Sequence, residues 1–70
     1  MAFQRLLGTT PLHYLRDVRL DRVRTDLRLA DPVRATVADI ARSWGFSHLS
    51  RFSAAYATRF DEYPSSTLQH

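Results

Sequence analysis

The 70-residue chain predicts an all-α fold, on three observations. Its apolar residues recur at three- and four-residue intervals, the spacing of one helix face. Helix-start signals stand ahead of those runs, at Thr10-Pro11 and at Thr36-Val37-Ala38-Asp39. Helix stops stand at Gly8, Asp31-Pro32 and Gly45. The length leaves room for one small domain with a marginal core. There is no cysteine to reinforce that core with a disulfide or a thiolate-bound metal.

Phe3 to Leu7 reads as the tail of a helix, and Gly8 stops it. Thr10 then caps a new helix with Pro11 at its first position. Leu12, Leu15, Leu20, Val23, Leu27 and Ala30 fall on one side, which predicts a helix over 11–29. Thr36 to Asp39 resembles a capping box with Asp in place of Glu. Val37, Ile40, Ala41 and Trp44 share a face of the short helix that follows, and Gly45 breaks it. Phe46-Ser47 forms the turn, and Ser47 can cap a last helix from about His48 to Phe60. Leu49, Phe52, Tyr56 and Phe60 form its apolar stripe. The segment 61–70 reads as a C-terminal tail.

A weak internal repeat overlies these elements. Phe3-x-x-x-Leu7-Gly8-Thr9-Thr10-Pro11 parallels Tyr56-x-x-x-Phe60-Asp61-Glu62-Tyr63-Pro64. On that register the partner of Val37 falls before Met1, so the first repeat is expected to be cut to the end of its last helix.

Ten basic residues face seven acidic ones, for a net charge of +3. All ten are arginines, whose planar fork suits phosphate and guanine edges. A GC-rich coding sequence would produce the same bias. Position says more than the sum: residues 33–60 carry Arg34, Arg42, Arg51 and Arg59 against Asp39 alone, whereas 61–70 carry Asp61 and Glu62 and no arginine. No apolar run is long enough to span a bilayer, and Met1-Ala2-Phe3-Gln4-Arg5 does not follow a signal-peptide plan. A soluble, cytoplasmic protein without a membrane partner is the simplest expectation.

Thr36–Phe60 is the informative unit. A short helix, a glycine turn and a longer amphipathic helix with a basic outer face make the helix-turn-helix plan. Ala41 is small where the helices cross, and Trp44, Phe46 and Phe52 form the wedge between them. On physics alone such a pair could equally be an ordinary α-hairpin.

Read as a string, Val37-Ala38-Asp39-Ile40-Ala41-x-x-Trp44-Gly45-Phe46-Ser47, followed by Phe52, Tyr56, Phe60 and Pro64 at their spacings, resembles the AraC/XylS family signature. So does the upstream Leu7-Gly8-Thr9-Thr10-Pro11-Leu12-x-Tyr14-Leu15-x-x-x-Arg19-Leu20, and His48-Leu49-Ser50-Arg51-Phe52 looks like one branch of that family. The resemblance covers nearly the whole chain. It implies a homeodomain-like three-helix unit with a long preceding linker helix, acting on double-stranded DNA in transcription control in the bacterial cytoplasm, on the nucleoid when bound. Residues 1–8 match the end of a first helix-turn-helix, 9–32 the linker helix, and 33–70 the second unit and tail. The first unit's base-contacting residues, and the effector domain that precedes this region in many members, would lie upstream. Asp61 stands where the family usually has glycine, Ala54 and Ala57 replace positions often basic in relatives, and Thr67-Leu68 lacks the common aromatic-arginine ending.

Helical phase turns Leu49, Phe52, Tyr56 and Phe60 inward and Ser50, Arg51, Ala54 and Thr58 outward, with His48 and Ser53 on the flanks. A recognition helix reads bases with its N-terminal part, which selects His48, Ser50, Arg51 and Ser53. Thr36 and Arg42 suit phosphate contacts, since helix-start N–H groups favour anions. Arg34 and Arg59 are more generic surface charges. Arg19 falls within the apolar stripe, which calls for a structural ion pair, with Asp39 as a candidate partner. Asp21 with Arg24, and Arg22 with Asp26, read as ordinary helix-surface pairs.

His13, His48 and His70 are far apart and lack partners at metal spacing, so neither a metal nor a cofactor is expected. Nothing sets Ser, His and Asp as a triad, no glycine-rich phosphate loop exists, and an enzyme is the least supported class. Two further readings compete with DNA binding: a truncated remnant without autonomous function, and a helical module that binds protein.

Overall fold

The computed structural model describes residues 10–69, and every regular element among them is helical. Four helices follow in order: α1 (Pro11–Leu29), α2 (Val37–Ser43), α3 (Leu49–Phe60) and α4 (Pro64–Gln69). The expected Phe3–Leu7 helix tail and the Gly8 stop lie outside the described residues.

The helix starts follow their sequence signals. Thr10 caps α1, its hydroxyl accepting the His13 backbone N–H at 3.1 Å with Pro11 in the first turn. Thr36 does the same for α2 at the Asp39 N–H, also at 3.1 Å. Beyond α1, the Asp31 carboxylate accepts the Val33 N–H at 2.9 Å, and its carbonyl accepts from Arg34 and Ala35. That local turn ends the helix before Pro32. Ser47 does not cap α3. His48 holds the cap position without a side-chain cap bond.

The core is a short column of Leu20, Val23 and Leu27 from α1, Ala41 from α2, Phe52 and Tyr56 from α3, and Leu68 from α4. The expected stripe along α1 therefore splits. Its C-terminal half is buried, while Leu12 and Leu15 are 79% and 50% exposed. The described α2 and α4 both pack on α1.

The segment expected as a tail contains α4. Six residues are too few to show a period, and the helix is held by tertiary packing. Pro64 begins it as Pro11 begins α1, and Pro64, Thr67 and Leu68 are buried. The Tyr56 hydroxyl donates to Thr67 Oγ1 at 2.7 Å, and the Thr67 hydroxyl in turn donates to the Glu62 carboxylate. The buried Tyr56 hydroxyl thus has an acceptor for its proton. Burial pushes its phenol above the ordinary value, the Thr67 bond opposes that shift, and the Glu62 charge adds to it.

Candidate nucleic-acid interface

The corner between α2 and α3 is built around one backbone position. Gly45 has φ +89°, in the region that glycine enters at little cost. Its N–H reaches the Arg42 carbonyl at 2.9 Å and the Phe46 N–H reaches Ala41 at 3.0 Å. This double bond pattern is a Schellman closure. It turns Phe46 back into the core, where its ring lies 5.0 Å from that of Phe52. The stack continues to Tyr56 at 5.8 Å and to Phe60 at 4.6 Å. Trp44 completes the wedge, its indole N–H donating to the Asp26 carboxylate of α1 at 2.7 Å.

With its aromatic stripe held in this way, α3 presents the opposite face to solvent. His48, Ser50, Arg51, Ala54 and Thr58 are exposed, and Ser53 is half-buried beside them. No ion pair holds Arg51 or Arg42 among the described residues. Arg42 is exposed in the last turn of α2. Thr36 is exposed too, but its oxygen is committed to capping, which leaves its hydroxyl hydrogen for an outside acceptor.

Several charged residues stand elsewhere than the sequence suggested. Arg19 is exposed and makes no pair with Asp39. Its guanidinium lies over the glycine corner, where a Cβ on Gly45 would stand 3.7 Å from its Nη1. Asp21 pairs with Arg59 instead of Arg24, at 2.8 Å to Nε and 3.1 Å to Nη2. Asp17 adds a contact of 3.5 Å to the same arginine. These bonds favour the charged guanidinium, so the Arg59 pKa rises. Arg59 is therefore a clamp between α3 and α1. Asp26 serves Trp44 instead of Arg22. Arg24 covers Phe60, its guanidinium carbon 4.8 Å from the ring centroid. Arg34 makes a loose, exposed pair with Asp31 at 3.9 Å. Local spacing could not show pairings that depend on how α3 crosses α1.

Among the described residues no group of three or more His, Cys, Asp or Glu could hold a metal. No described helix is long and apolar enough to cross a membrane.

A short helix, a Schellman corner at glycine and a longer helix with a bare polar face define a helix-turn-helix. A family model described as a helix-turn-helix domain matches residues 1–70. The chain is 42% identical over 69 residues to the "Probable thc operon regulatory protein" of Rhodococcus erythropolis, covering 99% of this chain and 21% of that protein. It is 38% identical over 66 residues to the "XylDLEGF operon transcriptional activator 2" of Pseudomonas putida, covering 94% and 42%. It is 31% identical over 68 residues to "Regulatory protein HrpB" of Ralstonia nicotianae, covering 97% and 14%. No solved structure matches it. The chain belongs to the AraC/XylS family of helix-turn-helix proteins, and it spans less than half the length of these relatives.

Proposed function

We propose that this chain is a sequence-specific DNA-binding module of a transcription regulator, with α3 as the helix that enters the major groove. The carrying observation is the division of α3: its aromatic side is fixed in the core, while His48, Ser50 and Arg51 lie exposed at its N-terminal end. Recognition helices read base edges with that end. Arg51 can take a guanine edge through its fork, and His48, Ser50 and Ser53 can donate to or accept from bases. Arg42 on α2 and Thr36 at its N-cap are the phosphate contacts that set register. The names of the relatives, operon regulators and activators, support this reading. On it, residues 9–32 are the linker helix and 33–70 the second helix-turn-helix unit.

Fluorescence anisotropy of labelled duplex DNA tests the assignment. Arg51→Ala is expected to weaken binding by about 1–3 kcal/mol, roughly 5- to 150-fold, if the contact is to a base. The alternative, a protein-binding helical module, would use exposed apolar residues such as Leu12 and Leu15. Arg51→Ala would leave that activity intact. DNA affinity unchanged by the substitution would contradict the assignment.

A further inference from the structure

A groove of about 320 Å³ opens at the helix-turn-helix corner. Its walls come from two elements distant in sequence: Arg16 of α1, and Gly45, Phe46, Ser47, His48 and Arg51 of the corner and the start of α3. Among the described residues no carboxylate lines it. Arg19, one turn along α1 from Arg16, reaches the same corner with its guanidinium over Gly45. The ionic neighbour of Arg16 is Asp17, at 3.8 Å with the arginine side chain half exposed, and so wet a pair binds a guanidinium weakly. Two guanidiniums lining one concave surface, with a third beside it, focus positive potential there. The planar fork of arginine matches two phosphate oxygens at once.

We propose that Arg16, with Arg19 beside it, binds a backbone phosphate of duplex DNA next to the base pairs that α3 faces. The inference rests on the reading of α3 as the recognition helix. It makes α1 a phosphate-contacting element of the interface as well as a connector. The contact carries no base information, so it acts on every sequence alike.

The test is the salt dependence of duplex binding, read by anisotropy for the whole chain. Each phosphate contact contributes a slope of about 0.9 to the plot of log affinity against log salt. Arg16→Ala lowers the slope by about one and weakens binding to all duplex sequences by the same factor, and Arg16→Lys restores most of the slope. Arg22, which does not line the groove, is the charge-matched control, and Arg22→Ala leaves the slope as it was. An early thermal melt of the alanine variant would pass the test to Arg16→Gln, which keeps the aliphatic stem. An unchanged slope in the folded Arg16 variant overturns the inference. Arg51→Ala measured in parallel separates the two failures. If it weakens binding while Arg16→Ala does not, only the α1 contact is wrong. If neither matters, the recognition-helix reading falls and the α1 contact with it.

Discussion

Gly45 carries the corner because its φ of +89° is closed to most side chains. A Cβ there would meet Arg19 only at ordinary van der Waals distance, so the penalty of Gly45→Ala is in the backbone. We expect it to destabilise the domain by about 1–2 kcal/mol in a urea melt, with DNA affinity falling as the angle between α2 and α3 loosens. Tyr56 makes a different demand. Its phenol is buried and its pKa is raised, so the folded state holds the proton more tightly than the unfolded chain. The stabilisation linked to that proton is complete below the ordinary tyrosine value of about 10 and is lost as pH rises through the folded pKa. Tyr56→Phe should cost about 1 kcal/mol at neutral pH through the lost bond to Thr67, and should flatten the alkaline limb of the stability profile. An alkaline limb unchanged by the substitution would mean that another group governs it. Gly45 and the inward-facing Phe52 and Tyr56 were legible in the sequence because glycine stops and helical phase are local signals. The partner of the Tyr56 hydroxyl was not, because Thr67 reaches it only once α4 docks.

The clamp of Arg59 on Asp21 and Asp17 ties the last turn of α3 to α1 across a groove lined by Arg16, Ala54, Ala55 and Thr58. Both partners are substantially exposed, so solvent screens them. A double-mutant cycle with Asp21→Ala and Arg59→Ala should give a coupling of about 0.2–1 kcal/mol that shrinks as salt is raised. Coupling near zero at low salt would mean that Arg59 does not tie α3 to α1 in solution. Asp61 closes α3 at φ 57°, a left-handed position for a residue with a side chain. Asp61→Gly should raise the melting temperature slightly, the relief of strain being partly offset by the freer unfolded chain. A lowered melting temperature would mean that the Asp61 side chain contributes a contact of its own. Both α1 and α2 were readable from their caps, and α3 from its aromatic stripe. The clamp was not, since it joins residues 38 apart. Nor was α4, whose six residues carry no period of their own.

The described residues form a small core with most of their charged side chains on its outer surface. Leu20, Val23, Leu27, Ala41, Phe52, Tyr56 and Leu68 hold four helices together, while Arg42 and Arg51 remain exposed. Family membership follows from a match along the full chain. The assignment of individual DNA contacts rests on the exposed face of α3. An amide-resolved NMR titration with duplex DNA tests that assignment most directly. The largest shifts are expected on His48, Ser50, Arg51 and Ser53, with Thr36 and Arg42 beside them, and all should fade as salt rises. Shifts confined to Leu12, Leu15, Leu29 and Val33, with the face of α3 silent, would contradict it.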